Sequence, residues 1–499
     1  MDHATREPLP RRPSAGHAPR RWAGWYLLPC LLVALLAGCA RREDGRETIT
    51  FWVMGFEGEI VAQLLPEFER RNPGIHVDLQ QMPVLSAHEK LLTAYAGDSL
   101  PDVTPLGNTW IPEFALLGAI EPLDAEIAAT PGFDAGDFYA GAWDSGVIDG
   151  KTYAVPWYVE TRIPFYRVDL LHEAGIDKPP TDWDEWRVAM AAIKREVGPK
   201  RYAILLPLNE FEPLLNLAIH DQLLRDGGRY GNFRSAGFKR TLAFYKEIFD
   251  KDWAPKVANT AISNVWDEFG NGYYTFYING PWNIAELKKR LPPSLSDSWM
   301  TMPLPGPDGP TASVAGGTSF VVFRNSEHKA AAWKLIAYLS SSEVQAKFHG
   351  LTGNLPSRRS PWTNPKLAND PYARAYRIQL ERAVPTPKVP EWERIATEMR
   401  LIGEQVANDR MTVDEAAAEL DRRADRILEK RRWMLDQEAS GQSAHVSSRL
   451  PSLPQTQTIP GGSDGSRDRR TAGYSDTPQI EASVPLTGTC CGMPKGTVQ

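Results

Sequence analysis

Apolar and polar positions along residues 48–430 switch between two periods. Ile49 to Met54 is a short apolar run, the mark of a buried strand, and Gly55 to Glu59 reads as a turn. Ile60, Leu64 and Phe68 recur at i, i+4 and i+8, which predicts an amphipathic helix kinked at Pro66 and stopped at Asn72-Pro73-Gly74. Ile75 to Leu79 alternates like a half-buried strand. His88 to Tyr95 reads as helix, and Pro101-Asp102-Val103 opens a third strand. Strand, helix, strand, helix, strand within ~60 residues predicts a parallel sheet covered by helices. A second cycle follows. Strands are expected at 151–156, 163–166, 273–278 and 319–323, and helices at 239–249 and 329–339. Another helix opens at Thr181-Asp182, where a capping residue precedes acidic ones that suit the helix dipole. Glu391 to Lys430 is rich in helix-forming residues with charges on a solvated face.

The two ends break this pattern. Residues 1–38 hold five Arg against two acidic residues, and Leu27 to Gly38 is apolar but short of the ~20 residues of a membrane span. Basic, apolar, then small residues is the layout of a secretory signal. It closes on Leu36-Ala37-Gly38-Cys39, which looks like the bacterial lipobox, so Cys39 is the expected lipidation site, followed by a polar linker over 40–47. From about Asp436 the chain is Ser, Gly, Pro, Thr and Gln, too poor in apolar surface to offset its ordering entropy, and 437–499 is expected to be a disordered tail.

Composition narrows the class. The 499 residues carry a net charge of −6, with 42% apolar and 24% charged residues, ordinary globular usage without the basic balance of a nucleic-acid binder. The four cysteines all lie near the ends, at 30, 39, 490 and 491, so the middle has neither a thiolate site nor a cysteine nucleophile. No metal or other cofactor is expected.

The order of short motifs carries a family resemblance. Phe68-Glu69-Arg70-Arg71-Asn72-Pro73-Gly74-Ile75-His76-Val77 is followed by Pro101-Asp102-Val103 and Leu117-Gly118-Ala119-Ile120-Glu121-Pro122-Leu123-Asp124. Then come Tyr153-Ala154-Val155-Pro156, Phe165-Tyr166-Arg167-Val168-Asp169-Leu170-Leu171, Gly280-Pro281-Trp282, Gly316-Gly317 and Gly353-Asn354-Leu355-Pro356-Ser357-Arg358. From Thr48 to Leu428 the chain resembles the bacterial extracellular solute-binding proteins of the maltose-binding type, which serve sugar ABC importers. The resemblance implies an α/β fold of the periplasmic-binding-protein type II: two α/β lobes, a ligand cleft between them and a hinge. On that pattern lobe 1 takes 48–157 and 303–358, and lobe 2 takes 158–302 and the helical 359–436. Crossings are expected near Pro156–Arg162, Met302–Pro310 and Arg358–Pro361.

A sugar offers apolar C–H faces that lie on aromatic rings and a rim of hydroxyls that needs donors and acceptors. The resemblance puts a stacking Trp at Trp282, a hydroxyl-binding acid at Glu160 with Tyr158 beside it, and a basic hydroxyl donor at Arg358. The loop after a parallel strand faces the cleft, which adds Asn108 and Trp110, and Glu57 in the first strand–helix loop. Gly317 lets backbone approach closely and Thr318 offers a hydroxyl. Trp266 is a second stacking candidate, and Asn209, Glu210 and Phe211 sit in a loop that commonly lines the cleft. His88 is expected to be satisfied by its neighbours or exposed rather than a ligand contact, and Trp52 belongs to the core. The implied partners are a carbohydrate and the permease subunits of an ABC transporter. Contact with the membrane is through the lipid anchor only, and the family is usually monomeric.

The main rival class is an enzyme. A glycoside hydrolase needs two carboxylates ~5–10 Å apart, and no hydrolase motif accompanies the carboxylates here. Ser326-Glu327-His328-Lys329 fits S-x-x-K, but it precedes an amphipathic run, so Ser326 reads as a helix cap. No Gly-rich phosphate loop is present, so an ATPase would be a separate polypeptide.

Overall fold

The computed structural model describes residues 45–440. The signal, Cys39, Cys490, Cys491 and the tail beyond Ser440 lie outside the described residues. Two sheets organise the chain. The first has six strands: β1 (Glu47–Met54), β2 (Ile75–Met82), β3 (Val103–Gly107), β4 (Val155–Glu160), β9 (Gly316–Val322) and β10 (Leu355–Pro356), in the order β10-β4-β9-β3-β1-β2. The second has four: β5 (Ile163–Arg167), β6 (Tyr202–Leu205), β7 (Tyr274–Asn279) and β8 (Trp299–Thr301), in the order β8-β5-β7-β6.

The N-terminal half of the first sheet is the parallel unit that the periodicity predicts. β1 pairs in parallel with β2 from Glu47↔Ile75 to Met54↔Met82, and with β3 at Phe51↔Val103. Glu47 is already in β1, so the linker ends earlier than expected. The predicted kinked helix is two short helices, Glu57–Val61 and Leu65–Arg71. Pro66 falls in the first turn of the second, where its missing N–H costs nothing. Leu64 and Phe68 are fully buried beneath it. Asp182 caps the helix Trp183–Val197 by accepting from Glu185 N. Ser326 is not a helix cap: His328 holds that place, and the Ser326 hydroxyl donates to Asp102 Oδ1 at 2.5 Å. The last helix, Glu429–Ala439, continues through Asp436, three residues past the expected end of folded structure.

The chain changes sheet at defined points. β4 lies wholly in the first sheet up to Glu160 and β5 begins the second at Ile163, so Thr161 and Arg162 make the passage. Tyr158 and Glu160 therefore belong to the first sheet, where the sequence boundary at 157/158 had cut the strand. The return falls at 311–315 rather than 302–310. The hairpin of Pro305–Gly306 and Gly309–Pro310 still packs on the second-sheet side, with Trp183 Nε1 donating to Pro305 O. The residues after it run beside Arg162, where Ser313 Oγ donates to Arg162 O at 2.8 Å.

Four apolar cores hold this frame. Two lie against the first sheet, around Phe51 and Phe320 and around Leu106 and Phe114. One lies between the second sheet and its helices, around Trp183, Trp186, Phe244 and Trp392. The fourth joins both sheets: Val159 and Leu355 pack with Ile163, Phe165, Trp299, Trp362 and Tyr376.

Candidate functional site

Strand direction determines where the chemistry gathers. β1, β2 and β3 are parallel. β9 runs against β3 with Thr318↔Gly107, and β4 runs against β9 with Gly316↔Glu160 and Gly317↔Val159. The carboxyl ends of β1 to β4 and the start of β9 therefore share one edge, the side of an open α/β sheet where ligands bind. A pocket of about 300 Å³ opens there, lined by Glu57, Trp110, Trp157, Tyr158, Glu160 and Thr318 among others. Three larger grooves, of about 530, 550 and 490 Å³, share no residue with it and lack its tryptophan and tyrosine lining.

Each wall residue has a local cause. Glu57 opens the helix after β1. Trp110 ends the turn after β3, and its ring lies over Gly107, where a Cβ would stand 3.4 Å from the indole. His88 packs beside Trp110 with ring centroids 5.0 Å apart and bonds to Glu113 at 2.7 Å, so it is satisfied as expected. Gly317 is obligatory in backbone terms. Its φ is +102°, and a Cβ would stand 2.4 Å from Tyr158 O. A β-bulge at Thr318/Ser319 adjusts the same strand.

The pocket is acidic and only partly satisfied. Burial pushes the Glu57 carboxyl up, while its own backbone amide and the Asn354 and Tyr158 side chains pull it down. Burial also pushes Glu160 up; Arg162 opposes this, and Glu57 and Glu212 add to it. Burial, with Glu160 and Glu57 nearby, drives the Tyr158 phenol well above its ordinary range, so it stays a neutral donor. Thr318 Oγ1 lies beside that phenol, and Asn354 Nδ2 beside Glu57, without completing a bond of good geometry. Trp157 Nε1 is buried without a partner as well. Such orphaned polar atoms are costly unless something bonds them.

A second group of polar and aromatic residues gathers at the start of the other sheet, outside the pocket lining and linked to it through the charge of Arg162 on Glu160. Arg162 donates from Nη1 to Asn279 Oδ1 at 3.0 Å and from Nη2 to Glu212 Oε1 at 3.1 Å. Its guanidinium lies 5.3 Å from the Trp282 ring centroid. Trp282 opens the helix Trp282–Arg290 and folds back over Gly280, where a Cβ would come within 2.0 Å of the ring. Tyr277 is pushed up to about 12 by burial and by Glu210.

The structure thus brings together Glu57, Trp110, Tyr158, Glu160 and Thr318, with Gly317 shaping their strand. Trp282 is not among the residues that line the pocket and lies against Arg162, and three further expected residues are engaged elsewhere. Arg358 is buried. It donates from Nε to Ser340 O at 2.6 Å and from Nη1 to Asp134 O and Asp137 Oδ2, and lies over Phe138. It does not line the pocket, and its guanidinium is used in holding the 134–138 loop. The Asn108 amide donates to Ala315 O and Gly316 O and accepts from Ser319 Oγ, stapling β3 to β9. Trp266 donates its indole N–H to Asn283 Oδ1 at 2.8 Å and is covered by Arg290. Arg162 and Glu212 were not singled out from sequence. The expected crossing near Pro156–Arg162 is the one local signal for Arg162, and nothing local marks Glu212.

Two sheets with their helices, joined by passing strands, and a polar and aromatic pocket at the first-sheet edge where the chain passes over, define a two-lobed ligand-binding protein. The chain belongs to the bacterial extracellular solute-binding proteins, whose family profile matches residues 63–375. Among solved structures it is similar to the sugar-binding protein MalE of Xanthomonas citri. The two are 56% identical with a TM-score of 0.77, over 78% of this chain and 99% of that one. It is 28% identical over 383 residues to a putative binding protein of Brucella abortus, covering 76% of this chain and 91% of the relative. It is 25% identical over 354 residues to the diacetylchitobiose binding protein DasA of Streptomyces coelicolor, covering 69% and 81%. The family and these neighbours are binding proteins rather than enzymes. Among the described residues no helix is long and apolar enough to cross a membrane.

Proposed function

We propose that this protein is the substrate-binding component of an ABC importer, capturing a sugar in the cleft between its lobes and delivering it to the membrane permease. The sugar we propose is a disaccharide such as trehalose or maltose. One observation carries the reading: Glu57, Glu160 and Tyr158 converge with Trp110 and the orphaned Thr318 hydroxyl on a pocket the size of one or two sugar rings. The carboxylates accept from ring hydroxyls, the phenol and threonine donate, and the aromatic rings take the C–H faces. Trp282 supplies a further aromatic face from the second group. Sugar-binding neighbours such as the Xanthomonas citri MalE support the substrate class. In the same reading the protein is exported, anchored by lipidated Cys39 in the periplasm, works as a monomer, and closes by hinge motion about the passages at 161–162 and 311–315.

A thermal-shift screen against mono-, di- and trisaccharides, amino acids and polyamines tests it. A ligand at a hundredfold excess over Kd stabilises by ~2.7 kcal/mol. A shift with one disaccharide supports the reading. A shift with only a charged solute keeps the binding-protein class and discards the sugar.

A further inference from the structure

Glu393 lies in the first turn of the helix Trp392–Ala407, and its neighbour Trp392 is buried in the core behind the second sheet. Its carboxylate reaches the other sheet. Oε1 accepts from Thr109 Oγ1 at 2.6 Å and from Trp110 Nε1 at 3.0 Å. Thr109 and Trp110 form the turn after β3, and Trp110 is a wall of the pocket. The indole is thus held from three directions: Gly107 beneath one face, His88 beside it, and Glu393 at its N–H.

We propose that Glu393 is a positioning residue of the ligand site, which fixes the Trp110 ring and fastens the second lobe to the rim of the first at the turn after β3. A carboxylate suits both tasks. One oxygen accepts two hydrogen bonds and so holds both donors of the turn at once. A ring that must lie flat against a ligand face loses contact if it turns, so holding the N–H preserves the face. Because the bond joins a helix packed on the second sheet to the turn after β3, separating the lobes there would break it, and its strength then favours the closed form and slows release. This rests on the reading of the pocket as the ligand site.

The test uses the full chain labelled with 5-fluorotryptophan, with the Trp110 fluorine signal assigned by Trp110→Phe. In Glu393→Ala that signal moves more than any other tryptophan signal. Glu393→Gln, whose amide oxygen still accepts, leaves it close to wild type. Maltose and trehalose then serve as probes in stopped-flow release. Glu393→Ala speeds dissociation about tenfold, whereas Glu393→Gln stays within about twofold. An unmoved Trp110 signal in Glu393→Ala overturns the proposal, as does a moved signal with an unchanged release rate for a probe that binds. If neither sugar binds and the signal still moves and is rescued by Gln, the fastening stands and the sugar reading falls.

Discussion

The first-sheet wall of the pocket and the group around Arg162 solve different problems. The first-sheet wall leaves its polar groups unfinished: Thr318 Oγ1 and Trp157 Nε1 have no partner, and two half-buried carboxyls are held above their ordinary range. The Arg162 side is more engaged. Arg162 gives one donor from Nη1 to Asn279 and one from Nη2 to Glu212, two of its five, and lies over Trp282. Its charge also opposes the upward push of burial on Glu160. In the proposed reading the less satisfied group selects sugar hydroxyls by number and direction, while the Arg162–Trp282 group offers an aromatic face.

Four substitutions probe this contrast. Gly317→Ala drives a Cβ toward Tyr158 O in a left-handed backbone position and breaks the first wall. It costs about 3 kcal/mol of stability, measured by denaturant unfolding. Trp282→Ala removes the aromatic face of the second group and weakens sugar binding about 30-fold by calorimetry, on the order of 2 kcal/mol, with little change in folding. An unchanged affinity would place the stacking surface on the first wall alone.

Glu160→Gln tests the less satisfied group and carries a pH sign. Burial raises the folded-state pKa of Glu160 above its ordinary value of 4.5. The folded protein therefore holds that proton to higher pH than the unfolded chain, and the associated stability is complete below 4.5 and lost as pH rises through the raised value. The neutral Gln escapes this loss. The variant melts higher than wild type at pH 7, the gain vanishes near pH 4, and sugar affinity falls about tenfold with the lost charged acceptor. The smallest effect is expected from Thr318→Val. It removes an orphaned hydroxyl, leaves the melting temperature equal or slightly higher, and weakens binding by less than about 1 kcal/mol. A large stability loss would mean that the hydroxyl is bonded within the protein.

The frame was legible because periodicity is local. The β1–β3 unit, the helix Lys329–Leu339 and the helices after Trp392 follow from runs of a few residues. The edge at which the pocket forms was legible too, since parallel strands point their following loops to one side. What sequence could not assign was where each polar side chain spends its hydrogen bonds. Arg358 is an exposed-looking base in a Pro-Ser-Arg-Arg segment, yet Ser340, Asp134 and Asp137 claim it. Asn108 is likewise claimed by β9, more than 200 positions later. Arg162 and Glu212 gain meaning only because the passage at 161–162 lies beside the helix Glu212–Ala218. Short helices such as that one lack the length for a periodic signal.

The fourth core, with Val159 and Leu355 packed against Phe165, Trp299, Trp362 and Tyr376, lies where the chain passes between sheets. It makes the pivot a packed bearing rather than a pair of loose strings. Neither half would keep its shape if cut free, since each would bare the aromatic surface the other covers. The two halves should then melt together in one calorimetric transition, and a break engineered at Thr161 should be tolerated only while both fragments remain clasped.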